Sequence, residues 1–209
     1  MNNAFFAMVS RMRYINRWSL MRNTLSENLE EHSFQVAVIA HAIAVIRQKF
    51  FAVNADGSVR VAVDPHKAAV YAIYHDMDEI LVGDMPTPVK YFNKDIEKVF
   101  KNIEKDASER LVSTLPGELR GVYGDLLSPD LSDTETAETM KIVKAADKIS
   151  ALVKCIEEGK AGNTEFVPAA RKLQKTISRM ELPEVGYFMD EFVPAYSCTL
   201  DELEKDSGE

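Results

Sequence analysis

The sequence has 209 residues, 46% apolar and 28% charged, with 25 Lys and Arg against 33 Asp and Glu and a formal net charge of −8. A chain of this length buries about 70% of the surface its unfolded form exposes, so one domain over 1–209 can fold without a disulfide or structural metal. The acidic balance speaks against nucleic-acid polymers, which call for a basic face, and two cysteines, Cys155 and Cys198, fit a reducing, cytoplasmic setting rather than a disulfide framework.

The first 26 residues hold Arg11, Arg13, Arg17 and Arg22 and no acid. Such a segment is either a transit peptide or a local anion site. It is poor in Ser, and Tyr14, Ile15, Trp18, Leu20 and Met21 look like folded core, which favours the anion site. No charge precedes the short apolar run at 4–9, so it is no secretory signal. Residues 5–13 predict a short amphipathic helix and 17–26 an irregular stretch. Ser26 or Asn28 can start a long helix to about Lys49, with Val36, Ile39, Ile43 and Ile46 spaced by three and four. Its apolar runs, 36–40 and 42–46, are interrupted by His41 and fall short of the ~20 residues of a membrane span. At 51–63 the period changes: Val59, Val61 and Val63 alternate behind Asn54-Ala55-Asp56-Gly57, which predicts a small β-hairpin.

Asp64-Pro65 reads as an N-cap with proline in the first helical position, opening a helix to about Glu79. The prolines at 86 and 88 make 83–88 non-helical. Asn93 caps a charged helix to Thr114, and a shorter helix covers 118–127. Asp133 opens another long helix to Glu158, ended by Gly159 and Gly162. Further helices at 165–180 and 185–192 are broken at Pro183 and Pro194, and the acidic tail over 200–209 is expected to fray. The fold class is all-α, a single helical bundle carrying one small β-hairpin.

Four histidines divide by helix geometry. Each helical residue advances about 100°, so residues nine apart face nearly opposite sides. His41 stands nine after His32, and His66 nine before His75. His32 shares a face with Val36 and Ile39, and His75 with Ala68, Tyr71 and Ala72, so these two point inward, while His41 and His66 are structural or exposed. Asp76 follows His75, and Glu79 lies four after His75 on the same side, whereas Asp78 points away and is solvated. Three acids within four residues repel unless solvated or neutralised by a cation. Asp147 lies with Met140, Val143, Ser150 and Ala151 on a mostly apolar or small face and needs a partner there, an arginine, a helix N-terminus or a metal.

His32, His75-Asp76 and Asp147 on three separate helices resemble the HD superfamily of metal-dependent phosphohydrolases. Asn16-Arg17-Trp18-Ser19-Leu20-Met21-Arg22, Glu31-His32-Ser33, Tyr74-His75-Asp76, Gly83-Asp84-Met85-Pro86-Thr87-Pro88 and Lys144-Ala145-Ala146-Asp147 narrow the resemblance to bacterial HD-domain 5′-deoxynucleotidases of the YfbR type. It implies His32, His75, Asp76 and Asp147 as ligands of one divalent ion (Co, Mn, Mg, Fe or Zn), a mixed N/O set without thiolate. It implies Glu79 as general acid or base and Arg17 as the phosphate clamp, with Lys90 a weaker phosphate candidate. Trp18 would discriminate against a 2′-hydroxyl. His32, Ser33, Asp76, Asp84, Met85, Pro86, Thr87 and Asp147 would complete the substrate pocket. The implied reaction converts deoxyribonucleoside 5′-monophosphates to nucleoside and phosphate. A dNTP triphosphohydrolase, a cyclic-nucleotide phosphodiesterase and a non-catalytic nucleotide-sensing module are the alternatives. A homodimer is implied, with a small nucleotide as ligand and neither membrane nor polymer as partner. Asp78, Ser19 and the 51–63 insertion depart from the family pattern without touching an implied ligand.

Overall fold

The computed structural model describes residues 3–90 and 92–205, the side chains of Thr87 and Lys205 excepted. Helices α1 (Phe5–Val9), α2 (Leu29–Phe50), α3 (Pro65–Tyr74), α4 (Glu79–Val82), α5 (Thr87–Lys90), α6 (Lys94–Ser113), α7 (Gly117–Leu127), α8 (Thr134–Lys160), α9 (Val167–Ser178), α10 (Pro183–Glu191) and α11 (Leu200–Lys205) follow in order, with 3₁₀ turns at Ser10–Tyr14, Thr164–Phe166 and Val193–Ser197. Among the described residues there is no sheet, only two isolated bridges.

Short polar residues start the long helices where the sequence predicts. Asn28 forms a full capping box with Glu31, and Asp64, Asn93 and Asp133 accept amide hydrogens of the first turn. Each cap is worth about 1 kcal/mol. By length and composition α2 could cross a membrane, but 56% of its apolar window is buried against neighbouring helices. It packs on α3, α8 and α10. There Val36, Ile39, Ile43, Ala68, Tyr71, Ile142, Ile149, Leu152 and Phe188 build the larger apolar cluster. Phe5, Met12, Leu29, Met77, Ile80, Leu111 and Leu115 form a second, smaller one. Leu29 belongs to one cluster and Val36 to the other, as do Met77 and Ala72. His32 and His75-Asp76 therefore lie on the seam between two apolar masses.

Several boundaries differ from the sequence expectations. α3 ends at Tyr74 and not near Glu79. The Ala72 carbonyl, which a continuing helix would bond to the Asp76 amide, accepts from His75 Nδ1 at 2.6 Å. The chain then steps by tighter turns, Met77 N to Tyr74 O and Glu79 N to Asp76 O. Residues 83–86 carry no regular structure, but Thr87–Lys90 forms one helical turn around Pro88, which is tolerated so near a helix start. Gly159 lies inside α8, and the left-handed residue past its end is Gly162, with φ +81°. Pro183 begins α10 instead of breaking a helix.

The expected β-hairpin at 51–63 is not formed. One antiparallel bridge joins Val53 to Val59, and Val53, Val59 and Val61 are exposed, while Val63 alone enters the larger apolar cluster, so the alternation does not bury one continuous face. The segment is held instead by Arg60, bidentate to the buried Glu184 (2.7 and 3.0 Å), and by Arg47, which donates to Val61 O at 2.9 Å. Within the acidic tail Leu200–Lys205 is helical, and 206–209 lie outside the described residues.

Candidate active site

The capping box fixes the first turn of α2 and with it His32, one turn in and fully buried. Its Nδ1 lies 3.1 Å from Ser150 Oγ, and Ser150 donates to Gln35 Oε1 at 2.6 Å. With its own proton committed to Gln35, Ser150 accepts from His32, which assigns the hydrogen to Nδ1 and leaves Nε2 as a lone pair. His75 is set in the same way by the Ala72 carbonyl. The two rings stand 5.5 Å apart.

Both lone pairs face carboxylates. His32 Nε2 is 3.3 Å from Asp147 Oδ1 and 3.8 Å from Asp76 Oδ2, and His75 Nε2 is 3.0 Å from Asp76 Oδ2. These approaches are close, yet neither Nε2 has a hydrogen bond of acceptable geometry, and both atoms are buried. Acceptors facing acceptors call for a positive charge between them, a proton in the metal-free site or a divalent ion in the loaded one. Single ligand atoms of His32, His75 and Asp147 lie within 4.8 Å of one another, and Asp76 flanks them. Two imidazoles and two carboxylates fit a divalent ion of N/O preference.

The site's electrostatics express the same frustration. Burial pulls His75 down, but Asp76 and Asp147 outweigh it and raise the ring to about 9. Burial pushes Asp76 up, and His75 overrides it, leaving the carboxyl near 2. Asp147 is likewise held well below the usual carboxylate range, burial being outweighed by His32 and Lys148. Glu79 goes the other way. Burial first, then the charges of Asp76 and Asp84, lift it to about 10, and its Oε2 is buried without a partner. Asp78 is half-buried and raised to about 6 by burial and by Asp76, so the solvated position expected from sequence is corrected.

Arg17 enters from the N-terminal loop with Nη1 3.6 Å from Asp76 Oδ2. Trp18 follows at φ +58°, donates its amide hydrogen to Asp84 Oδ2 (3.2 Å) and its indole hydrogen to Glu27 Oε2 (2.9 Å), and lies against Phe166 with ring centroids 5.2 Å apart. Asp84 is reached through Gly83, whose φ of +78° makes the turn after α4. Further along, the loop is tied to the end of α8. Glu158, 1% exposed, accepts from Thr24 N, Thr24 Oγ1, Leu25 N and Lys154 Nζ, and Asn163 Nδ2 bridges Glu158 and the Arg22 carbonyl. A larger cavity of about 790 Å³ opens behind this loop, between Lys154, Glu157 and Tyr196, away from the orphaned nitrogens.

Arg17, Trp18, His32, His75, Asp76, Glu79, Asp84 and Asp147 thus meet at one place. Met85 and Pro86 are half-buried in the adjoining loop, and the Thr87 side chain lies outside the described residues. Ser33 is buried with Oγ unbonded, and Lys90 is ion-paired to Glu104 at 2.6 Å. Sequence reasoning missed Gln35, Ser150, Phe166 and Glu27 as members of the site. For the first two a signal existed, since each stands three residues beyond a ligand candidate on the same helical face.

The sequence matches the YfbR-like 5′-deoxynucleotidase family over residues 4–196. It is 47% identical over 204 residues to a 5′-deoxynucleotidase of Erwinia tasmaniensis, covering 97% of both chains. An HD-domain phosphohydrolase from Listeria innocua superposes with a TM-score of 0.74 at 24% identity, covering 97% of this chain and 95% of that one. The HD phosphohydrolase of cyanophage S-2L, bound to dA and one catalytic Zn²⁺ ion, superposes with a TM-score of 0.60 at 16% identity over 90% and 95% of the two chains. At these identities the two structures show a shared fold.

Proposed function

The chain belongs to the YfbR-like 5′-deoxynucleotidase family, and from that membership and the site geometry we propose a metal-dependent phosphomonoesterase that hydrolyses deoxyribonucleoside 5′-monophosphates. The observation that carries this reading is the pair of buried, unbonded Nε2 atoms of His32 and His75 facing Asp76 and Asp147, with Arg17 beside them. His32, His75, Asp76 and Asp147 would hold a divalent ion. Such an ion would supply Lewis-acid chemistry, lowering the pKa of a water and offsetting charge on the phosphate.

The remaining work falls to the protein's own groups. Arg17 presents a planar guanidinium to the phosphate oxygens. Glu79, lifted by burial and by Asp76, keeps its proton at neutral pH and delivers it to the departing sugar oxygen. Cationic charge at the site offsets that of Asp76 and brings the Glu79 carboxyl down toward the working range. Trp18 covers the sugar and Asp84, Met85, Pro86, Thr87 and Ser33 line the nucleoside side. The partner is a small nucleotide, and the protein acts as a cytoplasmic homodimer, which sedimentation and cell fractionation test.

A screen of deoxy and ribo mono-, di- and triphosphates and cyclic monophosphates with Mn²⁺, Co²⁺, Mg²⁺ and Zn²⁺ tests the reaction. Inorganic phosphate released from deoxymonophosphates in preference to their ribo counterparts is the expected result. Tripolyphosphate from dNTPs, a linear monophosphate from a cyclic one, or binding without turnover each points to a different activity.

A further inference from the structure

The loop carrying Arg17 and Trp18 leaves and rejoins the fold at one point. Arg17 N donates to Glu27 O at 3.0 Å, Leu29 N donates to Ile15 O at 2.9 Å, and Asn16 faces Asn28 in a single antiparallel bridge. This cross-chain register sets the Glu27 side chain beside Arg17 and Trp18. One oxygen, Oε2, accepts from Arg17 Nε at 3.2 Å and from Trp18 Nε1 at 2.9 Å. Arg17 and Glu27 are each only 12% exposed, so water competes little for these bonds. Trp18 also stands in a left-handed conformation, which a bulky residue keeps only where its surroundings impose it. The surroundings here are Glu27, Asp84 and Phe166.

We infer that Glu27 is a positioning residue. Its single carboxylate oxygen locks the phosphate-facing guanidinium and the sugar-facing indole into one mutual geometry, and through them sets the preference for deoxyribose over ribose. With Nε tied, the guanidinium cannot swing away from Asp76, and with its N–H tied, the indole cannot rotate about its ring plane. Recognition of phosphate and of sugar is thereby coupled, since a small misplacement of either group is costly to turnover. The inference rests on the nucleotidase reading and deepens it.

Trp18 is the only tryptophan, so intrinsic fluorescence reports on it alone. In the metal-loaded full-length protein, Glu27→Ala is expected to lower kcat/KM for dAMP about 30-fold, chiefly through KM, and for AMP only about threefold, so that the dAMP/AMP ratio falls about tenfold. Emission shifts to the red, acrylamide quenching rises, and Mn²⁺ affinity by calorimetry stays within about twofold of wild type, because the metal ligands keep their own supports. Glu27→Gln keeps a neutral acceptor of the same reach and should fall midway in both ratio and quenching. Unchanged ratio and unchanged quenching overturn the inference. So does an equal loss for both nucleotides accompanied by weakened metal binding, the mark of a purely structural role. If Glu27→Ala does not fold, Glu27→Gln decides by the same two readouts. A wild-type protein that hydrolyses no deoxymonophosphate overturns the nucleotidase reading, and the quenching comparison then decides the role of Glu27 by itself.

Discussion

His32 with His75, and His41 with His66, are two histidine pairs joining α2 to α3 and its C-terminal cap, each with ring centroids 5.5 Å apart and tilted by 52° and 44°. His32 is fully buried and His75 half-buried, with its Nε2 out of reach of solvent. His41 is half-buried and His66 exposed. Among the described residues a group able to hold a metal forms only around the first pair, with Asp147 as its third member. Nearly identical ring geometry therefore accompanies two different chemistries. What separates them is the setting: a seam between two apolar clusters, two carboxylates, and a hydrogen bond to each Nδ1 that leaves the opposite nitrogen facing inward. A histidine pair is a scaffold, and its neighbours decide whether it binds.

The largest expected effect comes from removing a neighbour. Asp147→Asn should abolish Mn²⁺ binding measured by calorimetry and lower phosphate release by about 10⁴-fold, with helicity retained. Metal-dependent turnover that survives would make the two pairs equivalent. Glu79→Gln, which preserves shape and removes the transferable proton, should cost about 10³-fold in kcat with metal affinity intact. An intact rate would remove Glu79 from the reaction.

The next prediction concerns pH in metal-free protein under chelation. The His75 ring is raised to about 9, so its protonated form stabilises the fold. That contribution is complete below the unfolded-state value near 6.5 and disappears as pH rises through 9, a loss of about 3 kcal/mol. The melting temperature should fall across this window, and Asp76→Asn should flatten the slope. A slope that Asp76→Asn leaves unchanged would assign the stabilisation elsewhere. The smallest effect sharpens the contrast from the other side. The double variant His41→Ala/His66→Ala should keep kcat/KM within about twofold of wild type and leave that pH slope in place, since neither residue touches the cluster.

Much of this contrast was legible from spacing alone. Nine-residue separations place His32 and His75 inward against His41 and His66, and the helical face of Asp147 includes Ser150. The N-caps at Asn28, Asp64, Asn93 and Asp133 are local chemistry, visible wherever a short polar side chain precedes an apolar period. Tertiary contacts were not legible. Glu27 acquires its partners only when 15–17 pairs with 27–29, and Phe166 meets Trp18 across 148 positions of chain. The end of α3 depends on a ring nitrogen taking a backbone carbonyl, which no propensity encodes. The valines of 51–63 alternate as a strand does, but period alone does not supply a surface to cover Val53, Val59 and Val61, and only Val63 reaches the core.

The tether at Glu158 bears on the order in which the molecule matures during synthesis. The backbone amides of Thr24 and Leu25 find their acceptor 134 and 133 residues later. A nascent chain that has emerged through Asp147 already carries every proposed metal ligand and the Glu27 and Asp84 partners of Arg17 and Trp18, while the fastening of Arg22, Thr24 and Leu25 waits for the last turns of α8 and Asn163. One end of the substrate-facing loop is thus secured by residues already emerged and the other by residues still to come, which makes the Glu158 tether the closing contact between the two ends of the chain.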